Sequence, residues 1–116
     1  SLPKSRILVL GFTFKENCPD LRNTRVIDVV QELKSFGAQV DVYDPWADAR
    51  AVEHEYGISL LKRAPARGRY DGIVVAVAHD QFRELSVRDI RAWGRRKHVL
   101  YDIKSVLPAS AVDGRL

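Results

Sequence analysis

Short apolar runs alternate with amphipathic segments along the chain, and this alternation constrains the fold more than any other feature of the sequence. Residues 6–10 (RILVL) and 71–78 (DGIVVAVA) are nearly continuous apolar runs, as expected of strands buried on both faces of a parallel sheet. Residues 39–43 and 98–101 predict two further strands, and residues 58–61 predict a brief edge strand. A chain that alternates in this way is typical of a single α/β domain.

Helical spacing fills the gaps between these runs, with recognisable signals at the helix ends. Asn23 or Thr24 is expected to cap the first helix, because both side chains can accept a hydrogen bond from a free backbone N–H group. Ser86 and Asp89 have the spacing of a capping box, and Gly94 is expected to stop that helix. The predicted helices cover residues 26–33, 47–56 and 86–93.

Composition excludes several classes of protein. No apolar run approaches the ~18 residues that a membrane span needs, and the single cysteine, Cys18, excludes an internal disulfide. These features favour a cytoplasmic protein. Most of the excess positive charge lies in residues 60–116, which leaves nucleic-acid binding as an alternative. A solvated helix face is the favoured explanation, because many of these cations fall on one predicted helix and its end.

The residues that follow each predicted strand point to anion binding. Parallel strands all end at one edge of a sheet, so Lys15, Arg22, His79 and Lys104 are expected to gather there. Lysine and arginine at such an edge suit the binding of phosphate groups. The alternative is that these are ordinary polar loop residues. His79 itself is expected to begin a helix without touching a ligand, and Asp44 to cap the helix after Pro45.

Known catalytic fingerprints are absent. Gly11 is the only glycine where the dinucleotide motif G-x-G-x-x-G needs three, and the loop that follows is too long for a tight phosphate turn. No metal-ligand spacing occurs. Cys18 precedes Pro19 with no histidine nearby in the sequence, so it is not expected to be a nucleophile. We therefore predict no catalytic and no metal-binding residue in the chain.

Several short motifs, taken in order, resemble one known domain. This ordered set resembles the C-terminal, UDP-binding domain of the UDP-glucose/GDP-mannose dehydrogenase family over nearly the whole chain. Residues 14–23 (FKENCPDLRN) are most similar to the branch that acts on UDP-N-acetylhexosamines. The motifs are 11–15 (GFTFK), 20–22 (DLR), 42–45 (VYDP), 75–79 (VAVAH), 101–104 (YDIK) and 113–116 (DGRL).

The resemblance implies a role in a larger enzyme. That enzyme would oxidise C6 of a UDP-hexose or UDP-N-acetylhexosamine to the uronic acid for polysaccharide biosynthesis, by two hydride transfers to NAD. A separate N-terminal domain would hold most of the NAD, and a central domain would carry the catalytic cysteine. Residues 1–116 would form one domain, a Rossmann-like three-layer α/β/α sandwich without the G-x-G-x-x-G loop. Its open, mostly parallel five-stranded sheet would have the order 3-2-1-4-5.

The resemblance also implies particular site residues. Phe14 and Lys15 match the pair that contacts the UDP-sugar, and Lys104 stands where some relatives place a UDP-sugar-binding arginine. That exchange keeps the positive charge but loses the planar fork. Arg22 matches an arginine that reaches NAD across the domain boundary. The structural alternatives are that Phe14 lies in the core, that Lys15 is a plain surface residue, and that Arg22 pairs only with Asp20.

These inferences define the expected partners and the competing functions. The expected partners are a UDP-sugar, NAD and the other domains of a longer chain, which would itself be a homodimer or larger. Without the NAD fingerprint or the nucleophile, the chain alone is expected to be inactive. The absence of a starting Met favours a piece of a longer protein. The alternatives are a stand-alone nucleotide-binding or interaction module and, less favoured, a nucleic-acid-binding domain.

Overall fold

A parallel five-stranded sheet forms the centre of the structure, a computed structural model that describes residues 3–115. The strands have the spatial order β2-β1-β3-β4-β5, and every neighbouring pair is parallel. The predicted bounds 1–116 and the motif 113–116 extend past this range, since residues 1, 2 and 116 lie outside the described residues. The strands are β1 Arg6–Leu10, β2 Gln39–Tyr43, β3 Tyr70–Val75, β4 Gly94–Asp102 and β5 Gly114–Arg115.

Helices cover both faces of the sheet. The α-helices are α1 Val26–Ser35, α2 Ala49–Tyr56, α3 Asp80–Arg83 and α4 Val87–Arg91, with one 3-10 turn at Ala109–Ala111. Alternate residues of β1 point to opposite faces, so each face has its own apolar core. The core under α1 and α2 includes Ile7, Val9, Val30 and Val52. The core under α3 and α4 includes Leu8, Leu10, Phe82 and Ile90. The predicted three-layer α/β/α sandwich is confirmed.

The sheet differs from the prediction at its two edges. Residues 58–61 make only a single bridge, between Leu60 and Val42 of β2, rather than a strand. Gly57 in the left-handed region (φ +69°) and Pro65 bound this segment closely, which leaves little chain for extended pairing. The predicted numbering counts residues 58–61 as strand 3, so the observed β3 and β4 are the predicted strands 4 and 5. On that numbering the predicted order 3-2-1-4-5 is confirmed, and the short strand β5 extends the sheet beyond β4.

Three helix-end predictions were wrong and the capping box is confirmed. At α1 the N-cap is Arg25, without a side-chain cap, rather than Asn23 or Thr24; Thr24 Oγ1 does accept from the Val26 N–H. Ser86 Oγ accepts from the Asp89 backbone N–H, and the Asp89 carboxylate accepts from the Ser86 N–H, which completes the predicted capping box. Gly94 does not stop this helix but begins β4. A Cβ at Gly94 would lie 2.4 Å from the His98 ring, so glycine is needed there for close approach. Asp48, not Asp44, caps α2, by accepting from two backbone N–H groups.

The connections create a crevice between β1 and β3. The chain leaves β1 toward α1 on one face of the sheet and leaves β3 toward α3 on the other face. The carboxyl ends of these neighbouring strands are therefore not covered by one common helix. Such a switch point is where open α/β sheets bind their ligands.

Candidate functional site

A long loop follows β1 and occupies the carboxyl edge of the sheet. It begins at Gly11, whose φ of +96° is costly for any residue with a side chain. A Cβ at this position would lie 2.5 Å from Cβ of Val77, so the loop leaves the sheet by a path that only glycine permits. Asn17 and Asn23 also adopt positive φ values, which asparagine tolerates better than most residues. The loop is thus shaped by its sequence into one particular course.

A buried carboxylate anchors this loop to the neighbouring strand. Asp44 directly follows β2, and its side chain has no exposed surface. Its Oδ2 accepts hydrogen bonds from the backbone N–H groups of Phe12 (2.6 Å) and Thr13 (3.0 Å). Its Oδ1 accepts from the backbone N–H of Trp46 at 2.7 Å. Asp44 therefore ties the loop start to the end of β2 rather than capping a helix, as the sequence had suggested.

A buried histidine completes the anchor from the third strand. His79 follows β3 and is fully buried at the start of α3, where the sequence placed it as a helix-start residue. Its Nδ1 accepts from the backbone N–H of Asn17 at 2.9 Å, so the ring carries its proton on Nε2. Nε2 lies 3.0 Å from Asp44 Oδ2 and 3.2 Å from Thr13 Oγ1. Both ring nitrogens of His79 therefore take part in hydrogen bonds that hold the loop in place.

The charge of Asp44 depends on these bonds. Burial alone would raise the pKa of Asp44, because it disfavours a charged carboxylate. The hydrogen bonds from His79 and from the backbone of Phe12 and Thr13 outweigh burial, and they hold the pKa of Asp44 below its usual value. The anchor is accordingly a carboxylate ion at neutral pH, with charge-assisted bonds to three parts of the chain.

A cleft of about 220 Å³ opens beside the anchored loop at the switch point. Its walls come from the loop, the start of α1 and the segments after β3 and β4. Its apolar lining includes two cationic residues, and in the described part of the chain no Asp or Glu side chain lines it. The lining residues are Thr13, Phe14, Arg25, Val26, Val29, Ala76, Val77, Ile103 and Lys104.

The structure brings two of the four sequence-predicted site residues into this cleft. Phe14 and Lys104 both line it, and Phe14 is 49% exposed rather than part of the core. Lys15 is exposed on the adjoining loop but does not line the cleft. Arg22 lies further along the loop with 84% of its side chain exposed, and its guanidinium pairs with Asp20 at 3.1 Å.

The position of Lys104 is set by a second buried carboxylate. Asp102 is the last residue of β4 and has no exposed surface. Its two carboxylate oxygens accept from the backbone N–H groups of Lys104 (3.1 Å) and Leu107 (2.8 Å). The chain turns tightly as a result, with Ser105 at φ +56°. Asp44 and Asp102 thus each accept hydrogen bonds from loop backbone N–H groups, on opposite sides of the crevice between β1 and β3.

Sequence reasoning missed Arg25 and the anchoring roles of Asp44, His79 and Asp102. The strand-end position of the three anchors was visible in the sequence, but their burial depends on how distant strands meet. Arg25 stands directly before α1, which is a sequence signal that could have placed it at the sheet edge. Among the described residues no three His, Cys, Asp or Glu side chains form a metal-ligating group.

The site suits an anionic ligand with an apolar portion. Two cations can meet a phosphate or carboxylate, and the apolar wall with the Phe14 ring can pack against a sugar or base. In residues 3–115 no helix has both the length and the apolar character that a membrane crossing requires. The doubly wound sheet and a cationic cleft at its switch point define an α/β domain of the nucleotide-binding class.

Comparison with known proteins gives the family. Residues 8–109 match the UDP binding domain of the UDP-glucose/GDP-mannose dehydrogenase family, and the chain belongs to this family. It is 55% identical over 112 residues to a UDP-N-acetyl-D-glucosamine 6-dehydrogenase of Salmonella typhi, and 51% identical over 112 residues to one of Pseudomonas aeruginosa. Each alignment covers 97% of this chain and 26% of the relative, so the chain spans about a quarter of their length.

A solved structure supports the fold. The NDP-N-acetyl-D-galactosaminuronic acid dehydrogenase of Methanosarcina mazei Go1 superimposes with a TM-score of 0.80 at 22% identity. The match covers 95% of this chain and 22% of that protein. The predicted membership of the family, and of its UDP-N-acetylhexosamine branch, is confirmed by the sequence relatives.

Proposed function

We propose that this chain is the nucleotide-binding part of an NAD-dependent dehydrogenase that oxidises a UDP-N-acetylhexosamine, or a UDP-hexose, at C6. The two relatives that are more than half identical to the chain carry the name UDP-N-acetyl-D-glucosamine 6-dehydrogenase, which favours the N-acetylated sugar. The observation that carries the proposal is the switch-point cleft of this UDP binding domain, with Phe14 and Lys104 in its wall.

The size of the cleft supports a shared site. Pockets that enclose a small molecule usually measure roughly 300–1,000 Å³, and this cleft measures about 220 Å³. It is large enough to hold part of a UDP-sugar and too small to enclose all of it. The rest of the ligand would contact other domains of a longer protein, and closure between the domains would exclude water and orient C6.

The side chains have distinct proposed roles. Lys104, held by the Asp102 turn, would place its ammonium group against a phosphate of the nucleotide. Phe14 would offer a half-exposed ring to the sugar or base, and Lys15 would approach from the adjoining loop. The buried Asp44–His79 anchor keeps this loop in position without touching the ligand.

The chain is poorly equipped to hold NAD alone. Its first loop is a long anchored segment without the glycine-rich phosphate turn, so the described residues offer NAD only a contact at the surface. Arg22 is the candidate, because its guanidinium is mostly exposed while its pairing with Asp20 orients it. NAD, when bound, accepts the hydride. We propose that other parts of the longer dehydrogenase provide most of its binding site, and that this chain alone is inactive.

Calorimetric titration of the chain with UDP and with AMP tests the proposal. We expect UDP to bind weakly but more tightly than AMP, because UDP carries both the pyrimidine that the domain is proposed to fit and a second phosphate for the cationic cleft. Lys15→Ala should weaken UDP binding, whereas Lys62→Ala, at an exposed lysine away from the cleft, should not. Equal affinity for both nucleotides, with a steep loss in salt, would instead support the nucleic-acid-binding alternative.

A further inference from the structure

Arg25 is the second cation of the cleft and has no role so far. It lies directly before α1, and its exposed side chain and that of Lys104 both belong to residues that line the cleft. Within residues 3–115 neither side chain has a hydrogen bond or an ion pair. By contrast, Arg22, Arg91 and Arg95 each pair with an aspartate.

The concave setting separates these two cations from other unpaired charges on the surface. Among residues 3–115 no Asp or Glu lines the cleft, so no described carboxylate in its wall neutralises Arg25 and Lys104. The surrounding lining of valine, alanine and isoleucine has a low polarity, which strengthens the field of a charge placed beside it. Two positive groups in such a cleft favour a ligand with about two negative charges, which a diphosphate group supplies.

The backbone that carries Arg25 is fixed on both sides. Thr24 Oγ1 donates to the Phe12 carbonyl and accepts from the Val26 N–H, and both of these bonds are buried. The Arg25 carbonyl accepts from the Asp28 N–H at 3.1 Å. The guanidinium therefore extends from a rigid base, so less conformational entropy is lost when it binds a ligand.

We propose that Arg25 and Lys104 together bind the diphosphate of the nucleotide, with Arg25 as the bidentate partner. This inference rests on the proposed function and adds a residue to which neither the sequence nor the family resemblance gave a role. Arginine presents two parallel N–H groups to a phosphate, whereas lysine offers a point charge. The cleft would thus combine the planar guanidinium of Arg25, directly before α1, with the ammonium group of Lys104 in the turn after β4.

Titration of the chain and its variants with UDP and with uridine tests the assignment. Arg25→Gln should weaken UDP binding about tenfold, the lower end expected for a hydrogen bond to a charged group at an exposed site. Uridine lacks phosphate, so its affinity should not change. Arg25→Lys should recover part of the loss, because it restores charge without the fork. Arg88→Gln, at an exposed arginine of α4, is the matched control and should leave UDP affinity within twofold.

The outcomes separate this inference from the proposed function. If UDP binds and Arg25→Gln behaves like Arg88→Gln, Arg25 does not bind the diphosphate, while the nucleotide-binding role stands. If Arg25→Gln weakens the binding of uridine as much as the binding of UDP, the substitution affects the cleft as a whole and the assignment is wrong. If UDP does not bind the wild-type chain at all, both proposals fail. Dispersed amide spectra of each variant would show that it is folded.

Discussion

Asp44→Asn is the substitution that most directly probes how the candidate site is held together. The change keeps the size of the side chain but removes its charge and turns one oxygen into an NH2 group. Because three donors converge on Oδ2, the amide oxygen must stay there, and the NH2 group then faces the Trp46 N–H. One acceptor is therefore lost, and three charge-assisted hydrogen bonds become neutral ones.

The expected loss of stability can be worked out from these bonds. A hydrogen bond to a charged group contributes about 1.5–3 kcal/mol and a neutral one about 0.5–1.5 kcal/mol, so each of the three bonds loses roughly 1 kcal/mol. The partly buried Trp46 N–H, left without its acceptor, adds up to roughly 1 kcal/mol. The relieved desolvation of a buried charge offsets part of this sum. A net loss of about 3 kcal/mol is expected, which lowers the Tm of a domain of this size by roughly 10 °C.

Urea unfolding followed by circular dichroism measures this loss. Asp48→Asn is the matched control, because asparagine and aspartate are similar as N-caps and the change should cost only a few tenths of a kcal/mol. The folded-state pKa of Asp44 is lowered, so its stabilisation is complete above the pKa of the unfolded carboxyl. It should disappear as the pH falls below about 4. The anchoring role of Asp44 would be refuted if Asp44→Asn lost no more unfolding free energy than Asp48→Asn, or if its loss stayed the same at low pH.

Three further substitutions test other parts of the account. Gly11→Ala should lower the free energy of unfolding by roughly 3 kcal/mol in denaturant unfolding, because of backbone strain and the clash with Val77. Gly57→Ala, at a glycine with open space around it, should lower it by only about 1 kcal/mol. Equal losses for the two variants would contradict the close approach of Gly11 to Val77. Ser86→Ala should lower unfolding free energy by about 1 kcal/mol through the lost cap, and no change would show that the capping box contributes nothing. Phe14→Ala should leave Tm nearly unchanged yet weaken UDP binding in calorimetry, because the ring is half exposed in the cleft; a large drop in Tm would mean that Phe14 is structural.

Most of the fold could be predicted because its signals are local. The predicted strands at 6–10 and 39–43 coincide with β1 and β2, and the capping box at Ser86 marks the start of α4. The errors arose where distant chain segments decide the outcome. Gly94 looks like a helix stop, but the approach of His98 makes it the start of a strand. The segment 58–61 has strand-like residues, yet only Leu60 pairs with the sheet.

The site was less predictable than the fold. The rule that parallel strands share one edge placed Lys104 near the first loop, and both Lys104 and Phe14 line the cleft. The same rule could not tell which strand-end residues are buried. Asp44 and His79 look like ligands or caps in the sequence, yet every polar atom that they bring is used on the chain itself. Such pairing depends on three strands meeting, which no local pattern records.

Titration of the isotopically labelled chain with UDP, followed through its backbone amides, tests the central claim most directly. The account predicts shifts confined to the cleft and its loop, at Phe14, Lys15, Arg25 and Lys104, with AMP producing smaller changes. Amides of α4, on the opposite face of the sheet, should not move. If high UDP concentrations left the cleft amides unchanged, or shifted α4 equally, the cleft would not be the nucleotide site of this domain.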